Sequence, residues 1–172
     1  AEIKAIIEGS NDAKVKIIIF ESLTCSHCAN FHKKVYPSLK EEFIDKGNVS
    51  IEFRNFPLDM AAFNASKIAH CKNDGNSEIL HHLFQNQDQW VKGNTIADLN
   101  KNLKDFIDKS SFNLNFNECI NNTKIEDFIL EERINGSKKF KIKSTPTLII
   151  NGEKFDNALN YKKLKKYLEK LI

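Results

Sequence analysis

The chain has 172 residues, 41% of them hydrophobic and 28% charged, with a formal net charge of +3, which fits an ordinary globular domain with a real core. Mean hydropathy is −0.45, and no apolar stretch approaches the roughly 20 residues of a membrane-spanning helix; with 6 Gly and 3 Pro, collagen-like and Pro/Gly-rich disordered classes also fall away. The excess of 26 basic over 23 acidic residues is too small to point to nucleic acid.

In chain order, Ile3, Ile6 and Ile7 make a short apolar patch before the turn-rich Gly9-Ser10-Asn11-Asp12. Val15–Phe20 is a β-branched run whose length and content predict a strand buried on both faces. Leu23-Thr24-Cys25 follows, and then Phe31, Val35, Leu39 and Phe43 recur at helical spacing. Cys25 therefore sits where a strand gives way to a helix. Pro37 should bend that helix, Gly47-Asn48 closes it, and Val49–Phe53 reads as another strand.

From about Ala61 to Phe140 the pattern is helical almost throughout. Ala61–Cys71 ends at Asn73-Asp74-Gly75-Asn76, and Ser77 is the expected cap for Glu78–Trp90. Thr95 caps Ile96–Lys109, Asn115–Asn121 is a short helix holding Cys119, and Thr123–Glu126 fits a capping box opening a helix through Phe140. Thr147–Ile150 is again a strand, Asn151-Gly152 signals a type I′ hairpin, and Asn160 caps a final amphipathic helix, Tyr161–Leu171. Its lysines at 162, 163, 165, 166 and 170 mostly lie opposite Leu164, Leu168 and Leu171, so they form a solvated face rather than a nucleic-acid patch.

The 4 cysteines stand at 25, 28, 71 and 119. A chain of this size does not need disulfides to hold a core, so the local pair, Cys25-Ser26-His27-Cys28, reads first as redox or metal chemistry. A cysteine opening a helix faces unpaired backbone N–H groups and the positive end of the macrodipole, and both stabilise a thiolate. His27 can add a positive charge or a donor and lower the Cys25 pKa further. The competing reading is half a zinc site, which needs two more ligands. Cys71 and Cys119 are far apart and do not repeat the motif, and His32, four residues after Cys28, would still leave one missing. The strand-to-helix context favours redox, with no metal and no other cofactor. Far downstream, Ser144-Thr145-Pro146-Thr147 precedes a strand, where a proline is tolerated and can be cis.

These residues together resemble the DsbA-like thiol:disulfide oxidoreductases of the thioredoxin superfamily. The match is carried by Phe20 with Cys25-Ser26-His27-Cys28 and by Thr145-Pro146-Thr147-Leu148-Ile149-Ile150-Asn151-Gly152. The resemblance implies an α/β thioredoxin fold, a mixed central sheet with an inserted helical domain: residues 1–60 and 141–172 form the thioredoxin domain and 61–140 the insertion. It implies that Cys25 is the exposed nucleophile, Cys28 its buried partner, and Pro146 a cis proline against them, with Thr145 and Pro146 lining the substrate groove. Cys71 and Cys119, set among apolar neighbours, are expected to form a structural disulfide, as similar cysteines do in some such proteins; two free buried thiols are the alternative.

The implied activity is a dithiol oxidase acting on unfolded or reduced cysteine-containing proteins, reoxidised by a quinone-linked membrane protein of the DsbB type. The implied compartment is the bacterial periplasm, with a signal segment already removed, since Ala1 leads directly into charged Glu2–Lys4. An isomerase or reductase of the same fold is the alternative, disfavoured by the lack of the isomerases' extra N-terminal dimerisation region; a metal-binding thiol module without turnover is a further one. Some members carry a proton-transferring acid six positions before the nucleophilic cysteine. Here that position is Ile19, and Glu21, on the same strand face, could substitute or could be an exposed strand-end carboxylate. Thr145 stands where some members have Val, leaving the oxidising strength open. His70, His81 and His82 read as surface or packing residues, and Trp90 as core.

Overall fold

A five-stranded mixed sheet is the centre of the computed structural model, which describes residues 2–172. The strands are β1 (Ile6–Glu8), β2 (Val15–Glu21), β3 (Val49–Asn55), β4 (Thr147–Ile150) and β5 (Glu153–Phe155), in the order β1-β3-β2-β4-β5. β2 and β3 pair in parallel and every other pair is antiparallel. A parallel pair needs a crossover, and the helical segment 26–44 supplies it. That segment opens as α1 (Ser26–Asn30), passes through a π turn (Phe31–Val35) and α2 (Tyr36–Leu39), and ends in a second π turn (Lys40–Ile44). Pro37 lies in the first turn of α2. Its missing N–H removes one ladder bond, and the disturbance expected there takes the form of wider turns on either side.

Side chains alternate across β2 with period two, and both faces are covered. Ile17 and Ile19 enter the large core with Ile51, Phe53, Phe31, Leu83 and Phe84, while Phe20 joins a smaller cluster with Phe56, Ile142 and Ile149. Lys16, at the strand's exposed end, is the exception. The smaller cluster is closed by α8 (Thr123–Lys139), which comes in at Gly136: a Cβ there would lie 2.8 Å from Phe20 Cε1 and 3.3 Å from Phe56 Cδ2. Only a residue without a side chain permits that approach.

Between β3 and β4 the chain is helical: α3 (Met60–Ala69), α4 (Glu78–Gln85), α5 (Gln87–Trp90), α6 (Ile96–Asp108), α7 (Phe116–Ile120) and α8; α9 (Tyr161–Leu171) closes the fold. Asp59, Thr95, Asn115, Asn122 and Asn160 cap their helices by accepting from backbone N–H groups. Three expected helix details differ. Residues 78–90 form two helices, because Asn86 leaves helical geometry (φ −116°, ψ 27°) and lets Trp90 turn inward, its Nε1–H donating to Leu83 O at 2.8 Å. Ser77 caps nothing, since its hydroxyl donates to Glu8 instead. The cap of α8 is Asn122, one residue before the expected Thr123, because the Asn122 side-chain oxygen already takes the Ile125 N–H. The turn at Asn151-Gly152 has φ of +48° and +86°, as a type I′ hairpin requires. Cys71 and Cys119 are joined by a disulfide, tying the end of α3 to α7.

Candidate active site

β2 delivers its C-terminal end to the start of α1, and Cys25 is the residue between them. Its backbone is extended (φ −77°, ψ 121°) while its carbonyl already accepts from the Ala29 N–H at 3.1 Å, so it holds the N-cap position. Cys25 is half-buried, Cys28 in the first turn of α1 is fully buried, and both are free thiols. The Thr145–Pro146 peptide is cis and brings a segment 120 residues away onto the same spot, where Cys25 Sγ donates to Thr145 O at 3.6 Å. Beside it, His27, Thr145, Pro146 and residues 156–160 line an open groove of about 470 Å³. Ser26 opens α1 and is exposed, but it does not line this groove.

The two sulfurs are driven in opposite directions. Cys25 is lowered from an ordinary 9.0 to about 5, first by its hydrogen bond with Cys28. Burial opposes this, but the Thr145 side chain and the backbone N–H groups of Cys28 and His27 add to the lowering. Thr145 Oγ1 is buried with no hydrogen-bond partner and is free to turn to the thiolate. His27 lends its backbone N–H to this lowering, and its side chain stands exposed on the groove. Burial pushes the Cys28 thiol far above its ordinary value, and its bond to Cys25 and the nearby Glu21 push it the same way.

Glu21, the last residue of β2, is not an exposed carboxylate: it is 5% exposed. Its position on the Ile17–Ile19 face turns it into the large core, where burial raises its pKa well above the usual carboxylate range and the Cys25 charge adds to the rise. Glu21 Oε2 lies 2.8 Å from His32 Nε2, and Oε1 is buried with no protein partner. His32 stacks on Phe84 and continues through Nδ1 to His81 Nδ1 at 2.8 Å. His81 in turn reaches Glu8 at 2.6 Å. His81, read from the sequence as surface or packing, is thus hydrogen-bonded into this row, and so is Glu8, which the sequence did not single out. No local signal marks either, because the partners are 49 and 73 residues apart. His70 is buried against Asn55, and His82 stacks on Phe106. Gln87 was also missed: its Nε2 donates to the carbonyls of Leu23 and Cys25, at 2.8 and 3.0 Å, and so pins the turn ahead of the cysteines to the helical block. Among the described residues, no group of three or more His, Cys, Asp or Glu side chains is arranged to hold a metal ion, and no helix is long and apolar enough to cross a membrane.

A thioredoxin family profile matches residues 2–170. A provisionally named protein-disulfide oxidoreductase of Rickettsia bellii is 27% identical over 154 residues, 88% of this chain; the chain spans only 59% of that protein's length. Disulfide bond formation protein D of Bacillus subtilis is 25% identical over 179 residues, covering 94% of this chain and 74% of that one. The crystal structure of Wolbachia pipientis alpha-DsbA1 superposes with a TM-score of 0.83 at 28% identity, covering 98% of this chain and 90% of that one. Oxidised BdbD of Bacillus subtilis gives 0.77 at 25% identity, with 97% and 92% covered.

Proposed function

The chain belongs to the thioredoxin family as a DsbA-like member, and from that premise we propose that it is a thiol:disulfide oxidoreductase working as a dithiol oxidase. The observation that carries this reading is the asymmetry of its two neighbouring sulfurs: Cys25 is reachable and held as a thiolate, whereas Cys28 is sealed in and held protonated. A stabilised thiolate favours the dithiol over the disulfide, which makes the pair a good electron acceptor.

The cycle starts with a Cys25–Cys28 disulfide. A substrate thiolate attacks Cys25 Sγ, the disulfide breaks, and Cys28 leaves with the bonding pair and takes up a proton. A second substrate thiolate then attacks the substrate sulfur of the mixed disulfide and expels the Cys25 thiolate. The substrate has lost two electrons and the protein has gained them. Cys25 is a stable leaving group for the reason it is a stable thiolate. Thr145, Pro146 and the open groove beside them would hold an extended substrate segment through backbone hydrogen bonds.

The substrates are reduced or unfolded cysteine-containing proteins in an oxidising compartment, the bacterial periplasm, where a quinone-linked reoxidant of the DsbB type would restore the disulfide. Residues 1–60 and 141–172 carry the chemistry in this reading, with 61–140 inserted between them. Equilibration with mixtures of reduced and oxidised glutathione, read by thiol alkylation and mass, tests it. An oxidase is converted to the dithiol by mildly reducing mixtures; a Cys25–Cys28 disulfide that survives strongly reducing mixtures would mark a reductase instead.

A further inference from the structure

The proposed chemistry leaves one problem open. Cys28 must gain a proton when the disulfide is reduced and lose it when the disulfide forms again, yet the thiol is fully buried. We propose that Glu21, His32, His81 and Glu8 form a proton relay between Cys28 and solvent, opening on a face of the protein separate from the substrate groove. This rests on the exchange activity proposed above.

The geometry is a continuous row: Glu21 Oε2 to His32 Nε2 at 2.8 Å, His32 Nδ1 to His81 Nδ1 at 2.8 Å, and His81 Nε2 to Glu8 Oε1 at 2.6 Å. Each contact needs one proton, so ionisation of one end fixes every tautomer between. Burial alone would raise Glu8, but hydrogen bonds from His81, Ser77 and Tyr36 outweigh it and hold the carboxyl at about 2. Burial pushes His32 down to about 3 and lowers His81 as well. In the resting row Glu8 is therefore the anion and both rings are neutral. His81 donates to Glu8, His32 to His81, and protonated Glu21 to His32. The outer end lies in an opening of about 410 Å³ that Glu8 and His81 share with Tyr36, Lys40, Asp45 and Glu78. The inner end is Glu21 Oε1, which is buried with no hydrogen-bond partner and so has a lone pair free for a proton, and the Glu21 charge is felt at Cys28.

The protons balance in both directions. When Cys28 is to attack a mixed disulfide, Glu21 Oε2–H passes its proton to His32 Nε2, His32 Nδ1–H to His81 Nδ1, and His81 Nε2–H to Glu8, which releases it. Glu21 then takes the Cys28 proton on Oε1, while Oε2 accepts from His32. When Cys28 is later expelled as a thiolate, Oε1–H returns its proton, one proton enters at Glu8, and every hop reverses. The two half-reactions thus reset the ring tautomers without a ring flip.

The test follows the reduced protein reacting with oxidised glutathione, with quenched samples weighed by mass. The first step, Cys25 attacking glutathione disulfide, needs no proton from Cys28; the second, Cys28 resolving the mixed disulfide, does. We expect His81→Ala to leave the first step unchanged and slow the second by about 10²-fold, the scale of a lost general acid–base group. Added imidazole, entering through the opening, should restore most of the rate. Glu8→Gln, which keeps the shape but cannot take the proton, should slow the second step by about 10-fold. Wild-type second-step rates in both variants would overturn the relay, as would a slowed His81→Ala that imidazole does not rescue. A wild-type protein that forms neither a mixed disulfide nor a Cys25–Cys28 disulfide would overturn the exchange reading itself.

Discussion

The molecule holds two pairs of cysteines that differ in almost every respect but the side chain. Cys25 and Cys28 are free thiols at the junction of β2 and α1, one half-buried and one sealed. Cys71 and Cys119, 48 residues apart, are bonded within the helical block among core side chains. At the first pair, backbone N–H groups and a neighbouring thiol face Cys25 and favour its charge. At the second, the sulfurs are bonded to each other, and the bond joins two helices already linked by Lys67, which donates to Ile120 O at 3.1 Å and also pairs with Glu126 of α8 at 2.9 Å. What a cysteine does is thus set by the backbone around it and by its access to a partner.

The largest effect should come from breaking the first pair. Cys25→Ser is expected to abolish oxidation of a dithiol peptide, whereas Cys28→Ser should accumulate a mixed disulfide with the peptide, visible by mass. Equal trapping by both variants would remove the asymmetry between the two sulfurs.

Breaking the second pair should cost stability and leave the chemistry alone. For a loop of 48 residues, chain entropy gives an upper limit of about 4 kcal/mol for the loss in a Cys71→Ala/Cys119→Ala variant. This would be read as a lower denaturant midpoint, with an unchanged Cys25 titration. A shifted titration would mean that the two pairs are coupled. A smaller loss is expected at a site touching neither pair: Gly136→Ala gains about 1 kcal/mol of helix propensity but forces a methyl into Phe20, at about 1–3 kcal/mol. A thermal scan should show a net loss of about 1 kcal/mol.

The smallest effect is on pH dependence. The Cys25 pKa is depressed in the folded dithiol, so its contribution is fully present above the ordinary value of 9.0 and is lost as pH falls through about 5. Between those limits the reduced protein should gain stability with rising pH relative to a form in which Cys25 is blocked. Because Cys25 is half-exposed, solvent screening keeps the gain small. Parallel stability slopes in the two forms would contradict it.

Much of this was legible in the sequence, and the reason is local. The strands, the helix after Cys25 and the caps at Thr95 and Asn160 depend on spacing and on side chains within four residues, which sequence patterning reads directly. Pro146 could be placed only by joining it to the upstream Cys-x-x-Cys and to the family resemblance, because a proline opening a strand is by itself more often trans. Glu21 could be suspected from strand periodicity, but its burial depends on helices packed over it from elsewhere in the chain. His81, Glu8 and Gln87 stayed hidden because their roles come from contacts across dozens of residues. Ser77 was misread for the same reason: its hydroxyl finds Glu8, 69 residues away, before it can cap its own helix.

The central claim is that the fold splits the ionisation of two cysteines three residues apart. A pH titration of thiolate absorbance on the fully reduced protein tests it most directly. One thiolate should form with a midpoint near 5, and the second sulfur should stay protonated through the alkaline range. A first midpoint at the ordinary 9.0, or two sulfurs ionising together, would contradict the account.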